Sequence, residues 1–514
     1  MSIINHQMTS GAIWMILFKF LERSIGLIST IILARLLIPA DFGLVAMATA
    51  IMAVLELLGS FSFDIALIQN QNANRHHYDT AWTLNVILAC FYTILLCLLA
   101  HPASLFYNEP RLEPVMYCLS LGQFINGFEN IGVIAFRKEL RFSREFRLLL
   151  IKKVVSFTMT IYLAFLLRNY WALVVGTLTG RLASLLITYL VHPYRPRFCL
   201  VKRTELFHFS KWLLVNNLVY FFTNKFTDFV IGKVVGMNAL GIYTISYEFS
   251  NLPTTEIVSP INRALLPGYS QLAGNPNQLK LSYLAGTGII SLLSLPTGFG
   301  LAAIAEPFVL TILGTKWLEV IPLFQLLAIN GIVNALGSTL SPLCLALGRP
   351  KILTMVGIMY AGILVPCLIT GAIMNGTLGA VIGMVIAHFF TTPIGWWMVL
   401  RQVQIRLSSL LMVFWRPFFA SLIMAFSVNY FLSALQNLTP YDIALYIPYS
   451  ISTMQIQTIL LLLSSPISHL ALGTLVGFLT YLIILLILWR ISGKPNSAEV
   501  QVMNYIKRNI SNFF

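Results

Sequence analysis

Charged side chains are scarce in this chain. Asp, Glu, Lys and Arg make up 10% of its 514 residues, where a soluble domain carries about 25%, so an ordinary soluble globular protein is excluded. Acids are the rarer sign, 18 against 33 Lys and Arg, which rules out an acidic solvating surface. The six cysteines lie mostly inside apolar runs, with no CxxC and no ligand-like spacing to histidine. Neither a disulfide framework nor a metal site is expected, and the thiols read as free core groups. No Walker motif occurs, and the fragment GFG (298–300) leads into no nucleotide fingerprint. Any energy source must then be an ion gradient, the membrane potential or substrate mass action, with no cofactor implied. The first apolar run has no basic n-region and contains Lys19, Glu22 and Arg23, so it is not read as a cleavable signal peptide.

Apolar surface is what the chain has in excess: 58% of residues are hydrophobic and the mean hydropathy is +0.81. Such a composition belongs to an integral membrane protein. Runs of about 20 apolar residues predict fourteen spans, near 12–34, 41–68, 81–100, 114–136, 148–167, 171–191, 212–235, 240–267, 283–305, 320–346, 352–374, 378–400, 410–434 and 468–489. The net charge of +15 is topological, since a nucleic-acid-binding domain would be polar and would gather its cations on one stripe. With the N-terminus inside, the inner segments hold clusters at 137–147 and 195–211, then Lys280, Arg349, Lys351, Arg401, Arg406, Arg490 and Lys494. The outer segments hold little beyond Arg35, Arg111, Arg168 and Lys316. Basic loops stay in the cytoplasm, so both termini are expected there. The apolar stretch 442–465 reads as interfacial or re-entrant, because a fifteenth span would put Lys507 and Arg508 outside.

Two phrases recur. ARLLIPADFG (34–43) and GKVVGMNALG (232–241) each join two spans, with a cation second and a glycine tenth. ALVVGTLTGR (172–181) likewise matches GAVIGMVIAH (379–388), Gly176 against Gly383. Chance likeness of apolar hairpins is the plain alternative, but two separate anchors favour a six-span internal repeat. Six is even, so the copies enter the membrane from one side as parallel repeats. The expected architecture is all-α, with two six-helix lobes (1–197 and 198–404) around a central cavity, followed by two further helices in 405–514.

The stretch LGIYTISYEFSNLPTTEIVSPINRALLPGYSQLAGNPNQLKLSY (240–283) resembles the polysaccharide-repeat-unit flippases of the multidrug/oligosaccharidyl-lipid/polysaccharide exporter superfamily. ILARLLIPADFGLVAMA (32–48), SLPTGFGLA (294–302), ILGTKWLEVIPLFQLLA (312–328) and LALGRPK (345–351) carry the same resemblance, which is nearest to colanic-acid-type exporters. It covers the first twelve spans, and the long segment 435–467 departs from it. The resemblance implies alternating access and an undecaprenyl-diphosphate-linked oligosaccharide moved across a bacterial inner membrane. Membrane lipids, an H+ or Na+ coupling ion and polysaccharide polymerase or assembly proteins are the partners it would involve. A multidrug cation exporter of the same fold and a membrane glycosyltransferase or polymerase are the alternatives. Excess mid-membrane cations have the wrong sign for the first, and the second does its chemistry in larger outer loops.

Individual residues follow from physics, since an ionisable group at mid-span costs roughly 2.5–3.5 kcal/mol and so faces a partner or a wet cavity. Lys19, Glu22 and Arg23 share one helical face with a net positive charge; Asn224, Lys225 and Asp228 recur in the repeat-equivalent span. Arg181 sits at the centre of the sixth span, with His388 as its counterpart. Given a diphosphate substrate, Lys19, Arg23, Arg181 and Lys225 are expected to bind it. Glu22, Glu56, Asp228, Glu248 and His388 are then coupling or pairing groups, and Asp64, Glu129 and Glu256 are further mid-span acids. A purely structural ion-pairing role is the competing reading for each. Asn126, Asn130, Asn330 and Asn334 are expected to join helices, Pro253 and Pro296 to kink them, and His76, His77 and Asp79 to form a solvated turn.

Overall fold

The computed structural model describes residues 2–57, 63, 67, 73–139, 141–203, 225–436, 465–493 and 499–500. Asp64, most of the seventh predicted span with Asn224, the 442–465 segment up to residue 464, and Lys507 and Arg508 lie outside the described residues. Among those described the chain is all-α, and eight helices are long and apolar enough to cross a membrane. Large apolar side chains such as Leu190, Met374 and Phe426 point outward from them. That outward greasiness is what a lipid solvent requires of a span.

The chain divides into two compact units, Met1–Gly241 and Ile242–Phe514. The first is built from α1 (Ser2–Leu36), α2 (Pro39–Leu57), α3 (Arg75–Tyr107), α4 (Leu112–Gly127), the short α5 (Ile134–Lys138), α6 (Phe142–Leu167), α7 (Trp171–Val191) and α8 (Phe226–Val234). α9 (Met237–Ser250) starts at its end. The second continues through a π turn (Pro253–Val258) into α10 (Ser259–Leu272), α11 (Pro276–Ala303), α12 (Ala305–Phe308), α13 (Val320–Ser338) and α14 (Leu340–Ala346). It closes with α15 (Pro350–Leu400), α16 (Leu407–Gln436) and α17 (Pro466–Ile491).

α15 contains two of the predicted spans. Asn375 (φ −141°, ψ 32°) and Gly376 (φ 56°, ψ −139°) turn the chain between them. The arms fold back tightly: a Cβ added to Gly379 would lie 2.0 Å from Gly371 O, and one on Gly383 2.4 Å from Cys367 O. α6 and α7 make the matching hairpin, where Gly176 and Gly180 press on Thr160 and Ser156. In lipid no hydrophobic force draws helices together, so close backbone approach at small residues supplies the van der Waals contact that does. One predicted span departs from its range. The helix expected over 114–136 ends at Gly127, because Asn130 leaves helical geometry (ψ 109°) and caps a new turn by accepting from Gly132 N at 2.9 Å.

The recurring phrase meets itself. A Cβ on Gly43 would lie 1.8 Å from Met237 O, and one on Gly241 1.8 Å from Pro39 O. Each glycine sits four residues into its helix and touches the first residue of the other, an isologous contact between equivalent positions 198 apart. Only glycine fits, which explains the tenth position of both copies.

Pro296 also has a structural answer. Lacking an N–H, it frees the carbonyl of Leu292 four residues earlier. Tyr481 Oη, on α17, donates to that carbonyl at 2.9 Å.

We expect Gly43→Ala to lower the thermal midpoint of the detergent-solubilised protein by several degrees, in line with about 1–3 kcal/mol for overpacking, and Gly43→Leu to prevent recovery of folded protein. Gly268→Ala, where nothing lies within 4 Å of the new methyl, should leave the midpoint unchanged or slightly raised.

Candidate functional site

A partly buried ion pair of the first unit lies where α4, α6 and α7 meet. The glycine–serine and glycine–threonine contacts hold α6 and α7 so close that Ser184 stands level with Lys152. Glu129, just past α4, bridges them: Lys152 Nζ lies 3.1 Å from Glu129 Oε2, and Ser184 Oγ donates to Glu129 Oε1. Both charged side chains are about four-fifths buried, at 21% and 25% exposure. One turn from Ser184, Arg181 Nη1 donates to Gln123 Oε1 of α4 at 2.8 Å. Gly122 makes room for it, since a Cβ there would come within 3.1 Å of Arg181 Cδ.

α1 packs along α6 through Trp14 and Phe18 against Phe146. Its Gly26 leaves a Cβ-sized position 4.0 Å from Lys153 Nζ. Lys19 and Glu22 form a pair at 2.7 Å on the preceding turns, and Arg23 is half-buried with its Nε fully covered. Lys225, at the start of α8, lies 3.4 Å from Asp228. Of the sequence-expected cations, Lys19 and Lys225 thus each face an acid on their own helix, and Arg181 faces an amide. Lys152, Lys153 and Gln123 were not singled out from sequence. The lysine doublet inside a predicted span was the available signal, diluted by twenty apolar neighbours.

In the second unit His388 Nδ1 lies 2.9 Å from Asn330 Oδ1, with the Tyr360 ring 4.3 Å from the imidazole. The positions correspond one for one. Gln123 to Asn330, Arg181 to His388, Thr160 to Cys367 and Gly176 to Gly383 are each 207 residues apart. Both repeats therefore build the same amide clamp and the same hairpin contact, one around a fixed cation and the other around an imidazole. Glu248 is half-buried on α9, and Glu56 belongs to α2 with its side chain outside the described residues.

A second polar centre ties down the segment after α7. Asp79, buried at the foot of α3, accepts from Tyr194 Oη at 2.5 Å and from Arg197 N at 2.9 Å, with Arg75 Nε at 3.7 Å. Thr83 Oγ1 accepts from Cys199 N at 3.0 Å, and Asn130 Nδ2 donates to Tyr194 O at 2.7 Å. This corrects two expectations. His77 and Asp79 are buried, 5% and 4% exposed, rather than part of a solvated turn, and Asn130 clamps an extended strap rather than a neighbouring helix. Among the described residues no three of His, Cys, Asp and Glu gather as metal ligands, and all six cysteines are free.

These helices, with glycine-packed hairpins and polar clamps at mid-span, form a multi-pass membrane protein of the flippase and multidrug-transporter fold. A solved structure titled lipid II flippase MurJ, inward closed conformation, superposes with a TM-score of 0.69 at 14% identity, over 93% of this chain and 99% of that one. An inward-facing MATE family multidrug resistance transporter matches at 0.59 and 15%, over 74% and 94%. A family profile described as polysaccharide biosynthesis protein matches residues 32–322, more than half of the chain, and the chain belongs to that family. Similar relatives include the lipopolysaccharide biosynthesis protein WzxC of Escherichia coli K12, 22% identical over 82% of this chain and 86% of that one. The succinoglycan biosynthesis transport protein ExoT of Rhizobium meliloti is 24% identical over 88% and 92%. The teichuronic acid biosynthesis protein TuaB of Bacillus subtilis is 24% identical over 84% and 90%.

Asp79→Ala removes a carboxylate that accepts two hydrogen bonds, each worth about 1.5–3 kcal/mol when the acceptor is charged. We expect faster limited proteolysis within 192–203 in that variant, with the helices intact by circular dichroism. The same strap should loosen in acid. Burial holds the His192 imidazole below its ordinary value of 6.5, opposed by Glu139 and assisted by Arg195 and Arg144. The opened strap therefore binds the proton first, and protection present above pH 7 should decline as the pH falls below about 6.5.

Proposed function

We propose that this protein is a flippase that moves lipid-linked oligosaccharide repeat units, carried on undecaprenyl diphosphate, across the bacterial inner membrane by alternating access. The observation that carries the reading is the fixed positive charge of Arg181 held at mid-span in the first unit on the Gln123 amide, beside the Lys152–Glu129 pair, on the fold of lipid-carrier flippases. A diphosphate cannot enter apolar lipid uncompensated. Arginine meets it with a two-pronged donor and lysine with a point charge. Lys19, Arg23, Arg181 and Lys225 are the proposed substrate contacts, to which Lys152 and Lys153 are added. Glu22, Glu56, Asp228, Glu248, Glu129 and His388 are the proposed pairing or ion-coupling groups, with H+ or Na+ as the coupling ion.

The name of one relative, the transport protein ExoT, together with the flippase and multidrug-transporter fold supports a transporter rather than a glycosyltransferase or polymerase. A multidrug exporter of organic cations fits poorly, because mid-span Arg and Lys repel that cargo. The excess of Lys and Arg in the inner segments supports cytoplasmic termini, beside the enzymes and assembly proteins that would hand over the substrate.

Topology comes first among the tests. A reporter fused within 195–203 should read cytoplasmic and one at 437–442 periplasmic; a cytoplasmic signal from the second would overturn the fourteen-span arrangement.

For the site, polymer export divided by membrane protein level should fall at least about tenfold in Arg181→Ala and Arg23→Ala. Arg181→Lys should retain part of it, because charge survives but the fork does not. If these residues only brace helices, protein level should drop instead, and Glu22→Ala combined with Arg23→Ala should restore it. Normal export per molecule in both single variants would refute the cationic site.

A further inference from the structure

We propose that a polar pocket at the Lys- and Arg-poor end of the second unit binds neutral sugar hydroxyls. The pocket lies where α11 ends, α13 begins, α16 ends and α17 begins, and has a volume of about 100 Å³. Its walls carry Glu306, Gln325, Asn429, Ser433, Gln436 and His469, over a buried floor that includes Leu432. That space holds several waters, enough for one edge of a sugar ring.

The wall chemistry selects the ligand class. Among the described residues no Lys or Arg lines the pocket, and Glu306 repels phosphate, so the diphosphate end of a lipid carrier is disfavoured there. One carboxylate and one imidazole fall short of a metal-ligand set. Three amides, a hydroxyl and an imidazole offer donors and acceptors side by side, the pattern that vicinal hydroxyls require. Two of these groups are set in advance. Gln325 Nε2 donates to Ala302 O at 3.3 Å, leaving its Oε1 to accept. His469 is held in the first turn of α17, its backbone N donating to Ser465 O at 3.2 Å, and its Nε2 is buried with no hydrogen-bond partner among the described residues. A buried ring nitrogen without a partner is costly, and a ligand hydroxyl would satisfy it.

The inference rests on the flippase reading for its ligand: the sugars would be those of the carried repeat unit, met at the periplasmic end. It also assigns a task to α16 and α17, the two helices outside the internal repeat.

The test uses the full chain in lipid nanodiscs and, as probe, the neutral oligosaccharide obtained by depolymerising the host's own surface polysaccharide. Saturation-transfer NMR and calorimetry should show saturable binding, at least about tenfold weaker in Gln325→Leu combined with Asn429→Leu, as two lost hydrogen bonds imply. The thermal midpoint should hold, both side chains being exposed. Ser433→Leu gives a second variant with the same expected direction should the double variant not be recovered. Absence of saturable binding, unchanged binding in folded variants, or competition by inorganic pyrophosphate would overturn the proposal. Translocation of the lipid-linked repeat unit is measured separately in proteoliposomes. Sugar binding without translocation would overturn the flippase reading and leave the pocket standing, whereas translocation without sugar binding would do the reverse.

Discussion

A charge in the middle of a bilayer needs its compensation within a few ångströms, and much of the first unit is arranged around that need. Arg181 depends on Gln123, and Lys152 on Glu129, which in turn accepts from Ser184. The partners come from three separate segments, so the charges are compensated only if those segments approach closely. Gly176 and Gly180 permit the approach by letting α7 lie directly on Thr160 and Ser156, and Gly122 admits the Arg181 side chain. The small residues and the charges are thus two halves of one device. Removing a glycine would separate the ion pair as surely as removing the acid.

The correspondence at 207 residues shows which half of that device the fold itself needs. Both repeats keep an amide on one helix bonded to the central polar residue of another, and both keep the glycine that seats the hairpin. The charge is not kept. His388 replaces Arg181, and Tyr360 occupies the position equivalent to Lys153 and lies against His388 with its ring tilted by 33°. A clamp that survives the exchange of arginine for histidine is scaffold. The fixed cation found in one repeat is then an addition to the scaffold.

Much of this was legible in the sequence because lipid imposes a simple code. Long apolar runs located the helices, the recurring phrases located the repeat, and the tenth-position glycines of both phrases proved to touch each other. What escaped had physical reasons. Lys152 and Lys153 vanish in any twenty-residue average. The strap at 192–203 reads as an ordinary polar loop, since nothing local reveals that Asp79, more than a hundred residues earlier, accepts from its backbone. Asn130 read as a helical residue by its spacing to Asn126, whereas its side chain ends one element and fastens another. Contacts distant in sequence decided each of these.

Two prolines marked in the sequence as bends resolve differently, and the difference bears on where the molecule can move. At Pro296 the freed Leu292 carbonyl is taken up by the Tyr481 hydroxyl, so α11 is fastened to α17 at the point where it would otherwise flex. At Pro253 the chain opens into a π turn with Thr255 and Glu256 exposed, anchored through Thr254 Oγ1 donating to Gly331 O at 3.2 Å. A π turn holds its backbone by longer, less regular bonds than an α-helix and is a common site of functional bending. Alternating access requires some span to change shape while others stay rigid. The proline fastened by a buried tyrosine bond belongs to the rigid set, and the proline in the wide turn, tied to α13 by the only partly buried bond from Thr254, is the place where a span can bend at less cost.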